Sequence, residues 1–477
     1  MKKVKLFPVC REIGVDLETP VSAFLKLQKQ GAKLLLESVE KGEQLGRYSF
    51  IGLNPSSILK IENDSMNWNG TISPFKKREF IQNFRRIIYS HQMDSDQELP
   101  PFSGGWVGYL GYDVNKYLEN LPSELPEEWI LPLGVFYLIK DVLVFDHVKH
   151  RAKVISLVSS REEEQNALKN IKNIQLALEG LLPSNGKNRN MKHCKGPLAN
   201  FKKGEFEKIV RSAKEYILAG DILQVVLSQR YSGETDAFPF DIYRMLRMIN
   251  PSPYMFFLDF GDFHLIGSSP EALVRLNNKK ATLHPIAGTR PRGKSSIEDK
   301  NLEKELVSDE KERAEHVMLV DLARNDLGRV CLPGTIKVKK RMNLERYSHV
   351  MHLVSEVEGI MGPNVDALDL LKASFPAGTV TGAPKIRAME IIEELEKVKR
   401  GPYSGTVGYF GLDGNMDMCI AIRMIICRGE KYHLQAGAGI VADSVPSLEY
   451  KETINKMKGL YQAIKYAQEG RNDFINR

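Results

Sequence analysis

"PYMFFLDFGDFHLIGSSPEALVRLNN", residues 253–278, decides how this 477-residue chain is built. It holds three short apolar runs, 254–259, 263–267 and 272–276, rich in the aromatic and branched side chains that suit a pleated strand. The gaps between them are turn-sized, far short of the dozen or so residues that a crossover between parallel strands requires. Neighbouring strands in such pairs run antiparallel, and the pattern recurs at 405–411, 418–427 and 431–436. Helical periodicity marks 301–325, 365–374, 384–398 and 446–468. The expectation is a mixed, largely antiparallel α+β core rather than a doubly wound parallel sheet.

Working outward, "KGEFEKIVRSAKEYILAGDILQVVLSQRY" (203–231) opens as an amphipathic helix, breaks at Gly220-Asp221 and continues as a strand. Upstream, "GLLPSNGKNRNMKHCKGPLANFKK" (180–203) combines Gly, Pro, Asn and Lys without apolar periodicity and reads as an exposed linker. Earlier still, "FSGGWVGYLGYDV" (102–114) and residues 133–158 read as strands, with Asp146-His147 at a hairpin tip. A chain of this length exceeds the size at which one core keeps growing. The expected division is therefore a lobe over 1–185, a linker over 186–203 and a second lobe over 204–477.

Sixty-seven Lys and Arg against sixty Asp and Glu leave +7, and the basic residues are scattered rather than blocked. That argues against a nucleic-acid binder and suits a small anionic substrate. The five cysteines form no C-x-x-C pair, which fits free thiols in a reducing compartment. "MKKVKLFPVCREIG" is interrupted by Arg11, Glu12 and Asp16 before any apolar signal region forms, and no apolar run approaches a membrane span of about 20 residues. The expectation is a cytoplasmic protein with neither nucleic acid nor membrane as partner.

Polar residues stand in unusual company at several places in the second half. "KERAEHVMLVDLARNDLGR" (311–329) sets Glu312 and Glu315 one turn apart, with His316 beside them. "PSLEYKETINK" (446–456) does the same with Glu449 and Glu452 and adds Lys456 a turn later. Carboxylates so spaced repel unless a cation lies near, and two such pairs converging would suit Mg²⁺. Either pair alone is also what a solvated helix face looks like. Arg423 falls inside an apolar strand and needs a partner, either a structural acid or a bound carboxylate. "LQAGAGIVADS" (434–444) runs into Gly437, Ala438 and Gly439, whose N–H groups could cradle an anion. "FPAGTVTGAPK" (375–385) offers Thr379 near a helix start, and can equally be a plain capped loop. His352 shares "SHVMHLVSEVEG" (348–359) with His349 and can be an ordinary core histidine. Glu271 follows a Ser-Ser-Pro turn, where burial would tune it as a general acid, and Gln224 lies in an apolar strand. "LHPIAGTRPRG" (283–293) has anion-binding chemistry but no nucleophile, since Ala287 occupies its middle. From residues alone, this half reads as a Mg²⁺-dependent site for a small polyanion, and no reaction can be deduced.

"PIAGTRPRG", "ERAEHVMLVDLARNDLGRV", "SFPAGTVTGAPKIRAMEII", "GPYSGTVGYFG", "AIRM" and "GAGIVADSVPSLEYKETINK" together resemble the chorismate-utilising enzymes, most closely the large subunits (component I) of anthranilate synthases. The likeness covers most of 200–468 and continues more thinly in "LLLESVEKGEQLGRYSFIG" (34–52). It implies a β-sandwich core flanked by helices, with regulatory and catalytic lobes. It implies chorismate bound through Mg²⁺, with Glu315 and Glu452 as metal ligands and Glu312 and Glu449 beside them or acting through water. By the same resemblance Tyr403, Arg423, Lys456 and the Gly437–Gly439 backbone hold the substrate's carboxylates, while Gly288, Thr289 and Thr379 line the pocket. Glu271 matches the acid that protonates the departing C4 hydroxyl, and His352 a histidine associated with pyruvate elimination.

Relatives that make aminodeoxychorismate carry a nucleophilic lysine where this chain has Ala287. Relatives that add water place a lysine base where it has Gln224. With neither lysine, ammonia is the implied nucleophile and anthranilate the implied product. The chain has no glutaminase signature, so the resemblance implies a separate glutamine amidotransferase subunit. Glu37 and Ser38, with Pro253, Tyr254 and Met255, match the pocket that binds tryptophan as feedback inhibitor. Two alternatives stand beside this reading: an aminodeoxychorismate synthase component that has lost its lysine, and a non-catalytic tryptophan or chorismate sensor.

Overall fold

The computed structural model describes residues 3–38, 46–94, 98–183, 194–346 and 350–470. Among these, two large sheets of 13 and 12 strands pack face to face, almost wholly antiparallel. The apolar runs of the sequence are continuous because many strands of the larger sheet are buried on both faces. In Tyr254–Asp259, Phe256 and Leu258 point into the core between the sheets, while Met255 and Phe257 point to a second core outside. Val142 and Leu143 divide in the same way, as do Leu34 and Leu35. That outer core is closed by the helices Pro20–Leu27, Glu164–Glu179, Pro239–Ile249 and Pro446–Gln468. Burying both faces rewards an unbroken hydrophobic run rather than alternation. The architecture is the expected α+β sandwich flanked by helices.

Both sheets draw strands from either side of residues 184–193. In the larger one, Ala32–Glu37 pairs with Tyr254–Asp259; in the smaller, Gly105–Leu110 pairs with Thr406–Gly411. Residues 186–193 of the expected linker lie outside the described residues. The rest of it includes the edge strand Cys194–Ala199, antiparallel to Gln224–Thr235.

Three local expectations change in ways that build the site. In the opening stretch, Tyr254–Asp259 and His264–Ser269 form the hairpin, with Tyr254 opposite Ser269. The third strand, Ala272–Asn277, belongs to the other sheet, so Pro270 and Glu271 carry the chain across the sandwich. The run expected as one strand at 418–427 is likewise two, Met416–Ile420 in the smaller sheet and Met424–Arg428 in the larger. Arg423 is therefore not inside a strand. It sits in the crossover with φ of 51°, a left-handed conformation that a bulky residue holds only when its surroundings fix it. The helix expected over 301–325 is also two, Ser296–Ser308 and Glu310–Gly328. Asp309 separates them, its carboxylate accepting the Glu312 N–H at 3.1 Å as a cap.

Candidate active site

The two sheet-to-sheet crossovers run side by side. Ile420 N–H donates to the Glu271 carbonyl and Ser268 N–H to the Arg423 carbonyl, both at 3.0 Å. The turn that carries Tyr403 is fastened to the same place, because Ser404 N–H donates to the Ala421 carbonyl at 2.9 Å. Three of the expected residues, Glu271, Tyr403 and Arg423, thus meet where the chain leaves one ladder for the other. Their backbones are fixed there, and their side chains are released from strand alternation.

Glu271 is enclosed, and burial pushes its carboxyl group up to about 7; the Thr379 hydroxyl, donating at 2.9 Å, and the Lys456 charge pull weakly the other way. Desolvation disfavours the charged form, so the group holds its proton near neutrality. Thr379 belongs to the short turn Gly378–Val380, which fixes its hydroxyl on Glu271. Tyr403 is buried, and its hydroxyl is raised by that burial. Beneath it lies a buried ion pair that the sequence reading did not single out. Arg400 reaches Glu396 at 2.6 Å and donates to the carbonyls of Val380 and Val226 at 2.7 Å. The pair binds the Thr379 turn, the Gln224 strand and the Tyr403 turn together. Its only signal was an i,i+4 charge pair, common on exposed helix faces.

Arg423 is pushed down by burial, and its charge is felt by Tyr403, Glu452 and His352. It donates to the Lys456 carbonyl at 3.3 Å. Lys456 bridges Glu452, at 2.6 Å, and the Gly437 carbonyl, at 2.9 Å. That contact orients the strand Lys431–Ile440. One side of it pairs with Gln224–Thr235 throughout, while the neighbour on the other side, Met424–Arg428, stops pairing at Leu434. In an antiparallel strand the N–H and C=O of one residue face the same way. The Gly437 and Gly439 amides therefore point to the side of Lys456, along an edge that no strand among the described residues covers. A Cβ at Gly437 would stand 3.1 Å from the Tyr403 hydroxyl, and one at Gly439 2.8 Å from the Gln224 amide nitrogen. Glycine is what lets both groups close on the backbone. The residues expected to cradle an anion thus form a strand edge, with Ala438 facing the other way, buried among the helices behind.

On the far flank Gln224 donates to Glu315 at 3.1 Å. Glu315 and Glu452 thus approach the Gly437–Gly439 edge from separate helices. Glu312 is differently engaged: Arg290, from the "GTRPRG" turn, holds it at 3.0 Å together with Glu305 and Asp309, both at 2.9 Å. Glu449 lies in the first turn of Pro446–Gln468, partly buried. No group of three His, Cys, Asp or Glu side chains close enough to share an ion gathers among the described residues.

His352 Nδ1 contacts the Gly288 carbonyl at 3.1 Å, and burial pushes its imidazole below the usual value. Gly288 takes φ of 66° at a bulge, and a Cβ there would stand 2.7 Å from Leu306. Thr289 pairs through its backbone with His352, and its side chain is not among those described. Ala287 is buried opposite Leu353. His316 is a core residue, bonded to Ser355 at 2.6 Å, and His349 lies outside the described residues.

A separate cavity of about 440 Å³ opens between the sheets, and Glu37, Ser38, Pro253, Tyr254 and Met255 all line it. Tyr254 donates to Asp417 at 2.9 Å and accepts from Arg275 at 2.7 Å. The Glu37 carboxylate is taken by Arg247, at 3.0 and 3.1 Å, and by the Tyr243 hydroxyl. The Ser38 hydroxyl is buried without a partner among the described residues.

No helix among the described residues is long and apolar enough to cross a membrane. The profile of chorismate binding enzymes matches residues 31–462. Anthranilate synthase component 1 of Aquifex aeolicus is 47% identical over 98% of this chain and 96% of its own. That of Thermus thermophilus is 44% identical over 98% and 99%. The crystal structure of anthranilate synthase component I from Streptococcus pneumoniae superposes with a TM-score of 0.79 at 40% identity, over 88% of this chain and 95% of its own. The menaquinone-specific isochorismate synthase of Escherichia coli shares the fold, with a TM-score of 0.69 at 20% identity, covering 97% of this chain and 96% of its own.

Proposed function

This chain belongs to the chorismate-binding enzymes, and on that footing we propose that it is the large subunit of an anthranilate synthase. It turns chorismate and ammonia into anthranilate and pyruvate, the first step of tryptophan biosynthesis. The observation that carries the choice of nucleophile is the pair Ala287 and Gln224. The first is buried against Leu353, and the second spends its amide on Glu315. Neither offers an amine to attack the ring or a base to activate water.

In this reading Arg423, Lys456, Tyr403 and the Gly437 and Gly439 amides bind the carboxylates of chorismate. Cationic and amide donors in a site of low dielectric hold an anion more firmly than they would in water. Glu271, neutral near pH 7, gives its proton to the C4 hydroxyl as that bond breaks, since hydroxide leaves poorly. Thr379 keeps the carboxyl group aimed. His352, its imidazole kept neutral by burial, stands beside the Gly288 turn to assist pyruvate elimination. Two carboxylates on separate helices flanking a substrate-carboxylate site fit Mg²⁺, which takes one or two protein carboxylates and completes its shell with substrate and water. Glu315 and Glu452 would hold it, with Glu449 nearby and Glu312 held to its side by Arg290; the ion supplies charge neutralisation at the substrate carboxylate.

Ammonia would come from glutamine through a partner glutamine amidotransferase subunit, the component that a "component 1" calls for. The cavity between the sheets would take tryptophan as feedback inhibitor, and the cytoplasm would be the place of action. The test is direct. Purified chain with Mg²⁺, chorismate and an ammonium salt should form fluorescent anthranilate without any partner. A 4-amino-4-deoxy product, or ligand binding without turnover, would overturn the reading.

A further inference from the structure

The strand Gln224–Thr235 has a gap along the edge turned away from Lys431–Ile440. Gln224 and Val225 pair there with Gly382–Ala383, and the residues from Tyr231 on pair with Cys194–Ala199, but no strand among the described residues covers 226–229. Buried backbone groups need partners all the same. The Val226 N–H donates to the Thr381 carbonyl at 2.8 Å, and the pair Arg400–Glu396 supplies two more. Arg400 Nη2 donates to the Val226 carbonyl at 2.7 Å, and Glu396 Oε1 accepts the Ser228 N–H at 2.7 Å. A guanidinium and a carboxylate side by side thus offer what a neighbouring strand would, a donor and then an acceptor. Across the strand, Val226 stands opposite Gly439 and Ser228 opposite Gly437. The rungs held from one side are therefore those that present the glycine edge on the other.

The guanidinium fork reaches further than the gap. All five of its N–H groups are used: besides Val226, two meet Glu396 at 3.0 and 2.6 Å, one the Val380 carbonyl at 2.7 Å and one the Ser404 hydroxyl at 3.3 Å. Val380 follows Thr379, and Ser404 follows Tyr403 in a turn where Ser404 takes φ of 63°. The Tyr403 ring centre lies 5.9 Å from the guanidinium. Glu396 also accepts the Ser228 hydroxyl at 2.8 Å, and that hydroxyl accepts from Gln435, on the strand of Gly437, at 2.8 Å. Both charged side chains are buried. A buried ion pair adds little stability over apolar side chains of the same volume, so its presence calls for another reason.

We propose that Arg400, oriented by Glu396, is a positioning residue that holds the Thr379 and Tyr403 hydroxyls in fixed places relative to the Gly437–Gly439 edge. The inference rests on the roles given to those groups above. Thr379 aims the Glu271 proton, while Tyr403 and the glycine amides hold carboxylates of the same small molecule, so the reaction needs both addressed at once. The two hydroxyls stand on separate turns, and Arg400 ties each turn to the same strand.

Arg400→Lys keeps the charge beside Glu396 but not the fork, whose donors point in fixed directions. Turnover of the folded variant at saturating chorismate should fall by about 10²-fold, as for a misplacement of about 1 Å, while KM for chorismate changes by less than about tenfold. An unchanged kcat, or an effect on KM alone, overturns the proposal. Thr379→Val should slow turnover in the wild-type background and add nothing to Arg400→Lys, which has already lost the aim of that hydroxyl. Effects that multiply overturn the proposal as well. If Arg400→Lys does not fold, Ser404→Ala, which removes one acceptor of the fork, takes its place. Slowing of about threefold to tenfold is then expected, as for one lost hydrogen bond, and none overturns the proposal. Amide hydrogen exchange read by mass spectrometry keeps this apart from the functional reading. In either variant exchange should quicken in 226–229, 378–381 and 401–405 and stay as in wild type in the helix Glu164–Glu179. Unchanged exchange, or quickening throughout, overturns the positioning role. A wild-type chain that makes no anthranilate overturns the functional reading alone, and exchange then still decides for or against Arg400.

Discussion

Glu271→Gln separates chemistry from stability with one near-isosteric change. The amide oxygen still accepts from Thr379, which now bonds the carboxyl group at 2.9 Å, so geometry is kept and only the transferable proton is lost. Losing a general acid costs about 10² to 10⁴ in rate, or about 3–5 kcal/mol of barrier. The stability effect has the opposite sign. In the fold this group titrates at about 7, raised from 4.5 by burial, so its protonated form is the one the fold prefers. The associated stability is fully present below the unfolded value and is lost as pH rises through about 7. At about 1.4 kcal/mol per unit, the whole loss is about 3 kcal/mol. Glutamine cannot ionise. The variant should therefore match wild type in urea unfolding below about pH 4 and exceed it by up to that amount above about pH 8. Wild-type anthranilate formation, normalised to free ammonia because its share rises with pH, should fall as pH climbs through about 7, and the residual rate of the variant should stay flat. A variant within tenfold of wild type, together with a flat wild-type profile, would falsify the assignment of Glu271 as a neutral acid.

Replacing either carboxylate on the flanks of the glycine edge, as Glu315→Gln or Glu452→Gln, should weaken Mg²⁺ binding in calorimetry and lower activity by about 10²-fold or more. Retained Mg²⁺ affinity would remove both from the metal site. Ser38→Leu, which fills the cavity between the sheets, should leave ammonium-driven turnover unchanged. Overpacking of about 1–3 kcal/mol translates to roughly 5- to 160-fold more tryptophan for half-inhibition. Unaltered inhibition would place the effector elsewhere.

Much of this fold was legible because strands buried on both faces leave continuous apolar runs, and helices with one buried face leave a stripe. The helix expected over 446–468 matches Pro446–Gln468, and the 254–259 run matches Tyr254–Asp259. What periodicity could not carry was which sheet a strand joins. The gap read at 268–271 is as short as a hairpin turn, yet Pro270 and Glu271 cross the sandwich there, and nothing local distinguishes the two outcomes. Arg423 shows the same limit: flanked by apolar residues it reads as part of a strand, while its left-handed backbone is set by contacts with Ser268 and Lys456, distant in sequence. The carboxylate pairs were visible as spacing, but their fates were not. Arg290 claims Glu312, whereas Glu315 meets Gln224. His284 Nδ1, buried without a partner among the described residues, left no trace in sequence, because such burial is a property of assembled walls.

The placement of the site is a consequence of how a sandwich satisfies its backbone. Within the ladders nearly every N–H and C=O is committed, so polar chemistry collects where the chain leaves them. Here the ladders are left at two adjacent crossovers, and the strands that lead there have their other ends in the cavity between the sheets. Ala272–Asn277 starts beside Glu271 and brings Arg275 and Asn277 to that cavity. Thr406–Gly411 starts beside Tyr403 and brings Val407 and Tyr409. Met416–Ile420 brings Met416 and Asp417 and ends beside Arg423. These three strands hydrogen-bond as neighbours in the smaller sheet, so they move as one body. An indole ring wedged against Tyr254 and Asp417 would press on that body, while Gly437 and Lys456 are carried by the larger sheet and its helix. The acid and the carboxylate clamp would then shift relative to the glycine edge, and a misplacement of about 1 Å at a reacting centre costs about 10²-fold. Inhibition by a ligand in that cavity would need no occlusion of the active site, because the sheet that lines one cavity ends in the residues of the other.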